Sequence, residues 1–487
     1  MKTLWSLLVG FGLLVSSGMA ATLHVAVTGD DGNDGSTWTL AKRSIQGAVD
    51  AAAAGDVILV SNGVYTATAN PVVNITRLVE VRSVNGPEVT IIDGQGERRG
   101  VFIDQTTVSD VPVCIAGFTI ANGFVAGSGS GAGIYINSLR DVNISDCIIS
   151  NNIAFYGGGI RKASRVSNLT LSNCWFSHNE ATNSVGGGVY AVDDGGRIEL
   201  FTCRFANNSS ALNGGGIYID NRGMLMDNCQ FISNTCSGSG GGVFLYKSPD
   251  GAVINRCAFE GNQVTSGGSG LFVGNGAQDV FVSNCVFRGN VSSYSADAVG
   301  AGVALHGSGG ISSCLIVSNR ATAGYGGDLV LGGKPVRCDN LTIAGNHANN
   351  SGGGGGLYVR ANVTAELFNC IIYDNTKNPG WAVRRNINFA AGVKLTFNNC
   401  CTTPLSQLDA CAGTNNFDTD PLFIGVVGDE YSYQLQPDSP CINTGTNQPW
   451  MADAVDLDEH ARLDRFHHMV DVGCYKYVPI GTLFNFR

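Results

Sequence analysis

The chain has 487 residues, and its formal net charge of -10 is spread without basic blocks, which excludes a nucleic-acid-binding footprint. Its 67 glycines are about twice the usual share of roughly 7%, while charged residues make up 14% against a typical value of roughly 25%. That balance excludes a salt-bridged helical bundle and favours many tight turns, and a repeat architecture accommodates such a length because it grows along one axis.

Residues 1–20 have the form of a secretory signal: Lys2 starts it, Leu4 to Val15 supply an apolar core, and Gly18-Met19-Ala20 offers small residues for cleavage. The mature protein is expected to begin near Ala21. No later segment reaches the roughly 18 continuous apolar residues that a span requires, so no membrane span is expected in the mature chain. Next, Ser44, Ile45, Ala48, Val49, Ala51 and Ala52 set out a short amphipathic helix, followed by Gly55-Asp56-Val57-Ile58-Leu59-Val60 and Gly63-Val64-Tyr65 as strand and turn. With Asp93-Gly94-Gln95-Gly96, this run resembles the N-terminal cap and first coil of pectate-lyase-like β-helix proteins.

A unit of about 28 residues then repeats. Cys147, Cys174, Cys203, Cys229, Cys257, Cys285, Cys314 and Cys370 hold one register, and Leu341 fills the missing slot. Two residues after each comes a large apolar side chain and five after each an asparagine, as in Phe176 and Asn179, Phe205 and Asn208, or Phe231 and Asn234. Upstream of each frame, a glycine cluster leads into an alternating segment such as Gly214-Gly215-Gly216-Ile217-Tyr218-Ile219. Each coil therefore contains at least two short strands, with glycines at the corners, while a third strand has no clear signature. The pattern predicts an all-β parallel β-helix of roughly ten coils, right-handed as the family resemblances imply, and a rod about 50 Å long at the strand spacing of roughly 4.8 Å. The cysteines form a buried ladder of small apolar groups, and the asparagines an amide ladder. Cβ atoms stacked about 4.8 Å apart exceed the usual disulfide separation of roughly 3.5 to 4.5 Å, so most of the thiol ladder is expected to stay reduced. From Gly131 to Asn375 the frame resembles the repeat of the polymorphic outer membrane proteins, which implies surface display or adhesion.

Past Cys401 the repeat fades. Asp420-Pro421-Leu422-Phe423, Ser439-Pro440-Cys441-Ile442-Asn443-Thr444-Gly445, Asp456-Leu457-Asp458 with Arg462, and Asp471-Val472-Gly473-Cys474-Tyr475 resemble the choice-of-anchor C-terminal module of secreted β-helix proteins. Cys401 with Cys411, and Cys441 with Cys474, are the disulfide pairs expected if any form. The chain thus divides into a signal (1–20), an N-terminal cap (21–70), the β-helix (71–400) and a C-terminal cap module (401–487).

Within the glycine-led strands, alternation turns Tyr135, Arg161, Tyr190, Tyr218, Phe244, Phe272 and Tyr358 outward as one stripe. An exposed aromatic stripe is a platform on which sugar rings stack; the competing reading is a ladder in which neighbouring rings stabilise the sheet. Charges gather on adjacent coils only at Asp193, Asp194, Asp220, Arg222 and Lys247. The three aspartates offer oxygen ligands to Ca²⁺ if the protein is a lyase, with Arg222 or Lys247 as the base that starts elimination; a solvated turn with ordinary ion pairs is the favoured reading. The Asp456, Asp458, Arg462 and Asp464 group is expected to be a structural ion-pair network. Two functions remain open: a non-catalytic extracellular binding or adhesin-like surface for a polysaccharide or a cell-surface partner, with no cofactor, and a polysaccharide lyase or glycoside hydrolase. Near-equivalent coils favour the first.

Overall fold

The computed structural model describes residues 20–105, 111–163, 168–192, 196–220, 223–248, 251–293, 300–323, 327–349, 354–377, 386–425, 433–463 and 468–479. They form a right-handed parallel β-helix whose strands stack into sheets of 14, 13 and 12 strands, here A, B and C, with a fourth sheet D of 9 two-residue strands. From Val142 to Phe389 each turn visits A, B, D and C in that order, as in Leu169–Ser172, Trp175–Ser177, Glu180–Ala181 and Val189–Val192. About a dozen turns result, so the rod is somewhat longer than the sequence period alone suggests, roughly 60 Å at the strand spacing.

The two strands expected per coil are those of sheets B and C, and the third, sheet A, immediately precedes each ladder cysteine. It was hard to see because the corner between A and B is a single residue. That residue sits in the left-handed region, at Asn173, Asn228, Asn284, Asn340, Asn369 and Asn399, with φ between 51° and 54°. A short polar side chain tolerates this conformation, so the chain can bend between two strands without a loop.

Inside, equal residues stack on equal residues. Phe176, Phe205, Phe231, Phe259 and Phe287 are fully buried, with ring centroids 4.4, 5.0, 5.0 and 4.7 Å apart and nearly parallel planes. The amide ladder forms as the sequence implies. Asn208 Nδ2 donates to Asn234 Oδ1 at 3.0 Å, Asn234 Nδ2 to Asn262 Oδ1 at 3.1 Å, and each coil's Nδ2 also donates to a main-chain carbonyl one turn back. Ladder thiols donate to the carbonyl two residues before them, Cys285 to Ser283 and Cys314 to Ser312, both at 3.1 Å.

Helix α1 (Ile45–Ala51) begins at Ser44, whose hydroxyl accepts from Gly47 N–H at 2.9 Å. Its Ile45, Ala48 and Val49 belong to the main core, so the helix seals the apolar end of the rod. At the other end, residues 405–408 form a 3₁₀ turn that contributes Leu408 to the same core. Residues 433–463 and 468–479 then lie along the outer face of sheet B as a lateral brace. Tyr433, Cys474 and Tyr475 pack on Leu315, Val317 and Ala344, while Leu435, Cys441 and Val472 pack on Ile371 and Cys401.

The brace owes its shape to the acidic motifs. Asp456 accepts main-chain N–H groups from Asp458, His460 and Lys476, and Asp471 accepts from Asn443 and Tyr477. Fully buried Arg462 donates to the carbonyls of Gly473 and Cys474, both at 2.9 Å. These groups organise turns; Asp464 lies outside the described residues.

The disulfide pairs expected from the sequence are not brought together. Cys474 sits under Leu315, Cys411 packs against the main core, and Cys401 instead meets Cys441. Sequence proximity suggested the first pair and motif order the second, but a brace lying lengthwise on the rod matches residues by position along the axis. Among the described residues no helix is long and apolar enough to cross a membrane.

Candidate functional site

The outward stripe of sheet C exists in the expected register: Phe102, Tyr135, Arg161, Tyr190, Tyr218, Phe244 and Phe272 pair Cα to Cα along successive coils. Its exposure differs from the expectation. Tyr190 and Tyr218 centroids lie 5.4 Å apart, Tyr218 and Phe244 5.1 Å, and Phe244 and Phe272 4.9 Å, so most ring faces are taken by neighbouring rings. Phe244 is only 7% exposed and the others are half-buried. The Arg161 guanidinium covers the Tyr190 ring at 3.8 Å, and burial pulls its pKa below the usual arginine range. Tyr358 packs with Phe272 around the small, fully buried Ala304 and Val330. Such stacked pairs contribute about 0.5 to 1.5 kcal/mol each beyond their burial.

Beside this column lies the charged group. Asp193, Asp194 and Arg222 lie outside the described residues. Asp220 pairs in register with Lys247 through a β-bulge, which turns both Tyr246 and Lys247 outward and sets the Lys247 ammonium 4.9 Å from the Tyr246 ring centroid. Burial, with Asp220 adding to it, raises the Tyr218 phenol above its ordinary value. Further along the column, burial and then Arg360 pull His306 down to about 4, and its Nε2 has no hydrogen-bond partner among the described residues. His306 is therefore neutral near pH 7. Among the described residues no three His, Cys, Asp or Glu side chains gather as a metal site.

The structure reveals a second surface that the sequence reading missed. On sheet A the outward column runs Val253, Phe281, Gly310, Arg337 from coil to coil. A Cβ built on Gly310 would meet only ordinary contacts with Phe281, 3.8 Å away, and a tighter one with the Arg337 carbonyl at 3.3 Å. Glycine thus leaves one side-chain slot open between an aromatic ring and a guanidinium. The brace walls the slot with Trp450, Asp453 and Val455, closing a cleft of about 530 Å³, within the roughly 300 to 1,000 Å³ of small-ligand sites. Phe281 is 54% exposed and Trp450 37% exposed.

Polar groups around the cleft are held in place. Arg337 Nε donates to Asp339 at 2.7 Å, and its Nη2 donates to Gln448 Oε1 of the brace at 2.6 Å. Burial raises the Asp339 carboxyl, partly offset by Arg337, while the hydrogen bond to Asp339 raises Arg337 itself. Asn284 Oδ1, at the rim, is buried with no hydrogen-bond partner among the described residues. A signal was present: apolar residues at the outward positions Val253 and Phe281, followed by Gly309-Gly310. The wall was not readable, because Trp450 reaches the site from more than a hundred residues away.

Comparison with known proteins agrees with the architecture. The profile of the family described as right-handed beta helix region matches residues 91–287. Among solved structures, the chain is similar to pectate lyase Pel9A at 15% identity and a TM-score of 0.36, covering 94% of this chain and 97% of that one. It is similar to XylC in complex with xylose at 11% identity and a TM-score of 0.37, covering 83% and 87%. It also matches the A-module of the Azotobacter vinelandii mannuronan C-5 epimerase AlgE6 at 14% identity and a TM-score of 0.27, covering 77% and 94%. No curated protein matches the chain. The family match concerns the architecture.

Proposed function

We propose that the protein is an exported glycan-binding rod whose binding seat is the cleft between Phe281, Arg337 and Trp450. The observation that carries this reading is the open slot at Gly310, flanked by two exposed aromatic side chains and a fixed arginine–carboxylate pair. A pyranose presents apolar C–H faces and a rim of hydroxyls, so exposed rings and oriented donors and acceptors suit it together. The signal-like residues 1–20 and the resemblances to surface-displayed repeats and to choice-of-anchor modules support action outside the cell, in an adhesin-like role.

The test is calorimetric titration of the full mature chain with neutral and acidic oligosaccharides, repeated for Phe281→Ala and Gly310→Leu. Leucine fills the slot without disturbing a special backbone angle. Binding to the wild type that weakens at least about tenfold in both variants, near 1.4 kcal/mol, is expected; unchanged affinity in Gly310→Leu would move the seat elsewhere.

A second reading, a polysaccharide lyase or hydrolase, is favoured by one observation, the in-register pairing of Asp220 with Lys247 at a bulge. In that reading Lys247 or Arg222 supplies the base, and Asp193, Asp194 and Asp220 hold Ca²⁺. Incubation with polysaccharides with and without Ca²⁺, following ultraviolet absorbance of unsaturated products and new reducing ends, decides it. Turnover that disappears in Lys247→Ala would make the protein an enzyme.

A further inference from the structure

We propose that Cys401 and Cys441 form a disulfide that clasps the C-terminal brace onto the last coil of the rod. The clasp holds whatever the cleft binds.

The cysteines of this chain fall into two geometries. Ladder cysteines occupy the same slot in successive coils and point the same way, and their thiols are engaged with main-chain groups. Cys257 N–H, for example, donates to Cys285 Sγ at 3.4 Å while Cys285 Sγ donates to the Ser283 carbonyl. Side chains stacked in parallel cannot turn toward each other without moving the strands. The Cys401 thiol also donates to a carbonyl, that of Thr419 at 3.3 Å, but Cys401 differs in the face it occupies. It follows Ile371 in the outward column of sheet B, and Cys441 approaches it from the opposite layer, so the two side chains face each other across an interface. Both residues are fully buried in one small cluster with Leu435 and Val472.

Both backbones are fixed at this point. Cys401 N–H donates to the Cys370 carbonyl at 2.9 Å within the sheet. In the brace, Cys441 N–H donates to Ser439 Oγ at 3.2 Å, and the Cys441 carbonyl accepts from Val472 N–H at 2.9 Å. The neighbouring Cys441 thiol and burial both push the Cys401 thiol up, and both residues are out of solvent once the brace is docked. Oxidation therefore belongs to the docking of the brace, before the pair is sealed.

The chemistry is thiol–disulfide exchange with a disulfide oxidant, either glutathione disulfide or the disulfide of a thiol oxidase. One thiolate attacks the oxidant to give a mixed disulfide and the second displaces it. The two protein thiols lose two protons and two electrons, and the oxidant is released as two thiols. Such oxidants act in the compartments that exported proteins traverse.

The test is to fold the full mature chain in a glutathione redox buffer, block free thiols with iodoacetamide, digest without reductant and map the peptides by mass spectrometry. The expected result is one linked peptide joining Cys401 to Cys441, with the other fourteen of the 16 cysteines alkylated. Alkylation of both, or linkage of either to Cys411 or Cys474, would overturn the proposal. As a second readout, dithiothreitol should lower the Tm of the wild type by several degrees and leave Cys441→Ser unmoved; a wild-type Tm indifferent to reductant counts against the clasp. If Cys441→Ser does not fold, the peptide map of the wild type decides.

Discussion

Arg462 donates through Nη2 to the hydroxyl of Ser313 at 2.9 Å, a fully buried bond between residues 149 positions apart. It joins the brace to the sheet A–B corner of a coil. The same guanidinium holds the Gly473 and Cys474 carbonyls, so one side chain both shapes the brace and docks it. Replacing Arg462 with leucine would strand those acceptors and leave Asp456 and Asp471 without their nearby cation. The cost is expected to be about 3 to 5 kcal/mol of brace docking. Limited proteolysis should then cut within residues 433–479 while the coils stay protected, and intact protection in the variant would show that apolar packing alone holds the brace.

The amide ladder makes a sharper demand on stability. Asn234→Ala leaves Asn208 N–H and Nδ2 without their acceptor and the Phe205 carbonyl without one of its donors, all inside a dry corner. A loss of at least about 3 kcal/mol is expected, read as a fall in the denaturant midpoint. Because each coil touches only its neighbours, the damage should remain local, and hydrogen exchange should rise mainly in the coils on either side.

Asp328 breaks the repeat where the neighbouring coils carry Gly302 and Gly356. It is fully buried, neither carboxyl oxygen has a hydrogen-bond partner among the described residues, and burial raises its pKa well above the ordinary value. The folded state thus binds this proton more tightly than the unfolded chain, whose aspartates titrate near about 3.9. The neutral acid costs least below that pH, and stability is lost as pH rises from there toward the folded value. Asp328→Gly is expected to raise stability at pH 7 by about 1 to 3 kcal/mol, with the gain shrinking toward pH 4. Thermal melts of both proteins across that range measure it; a gap independent of pH would mean that Asp328 is not the titrating group.

The stripe on sheet C separates two roles that one ring can play. Tyr218 stacks on Phe244 and meets Tyr190 edge-on, so Tyr218→Ala is expected to lower stability by about 2 to 3 kcal/mol through two lost ring contacts and burial. Glycan affinity should be unchanged, since the cleft lies on sheet A. An affinity loss with the fold intact would instead assign the binding surface to Tyr135, Tyr190, Tyr218, Phe244, Phe272 and Tyr358, with Arg161.

The rod was legible in the amino-acid order because stacking is translational: each residue's neighbour is the same residue one period on. Cys203, Phe205 and Asn208 therefore announce the ladders they build, and Ser44 with Ile45, Ala48 and Val49 announces the helix that seals the end. Asymmetric features obey no such rule. Cys401 meets Cys441, Arg462 meets Ser313, and Trp450 walls the slot at Gly310 because a non-repeating segment lies lengthwise on sheet B. Traces were there, since the outward column of that sheet passes from exposed Trp175, Arg204 and Gln230 to buried Leu315, Thr342, Ile371 and Cys401. An apolar outer face says that something covers it. Which residues land there depends on the length and turns of the brace, and so on packing between parts of the chain too distant in sequence for periodicity to relate.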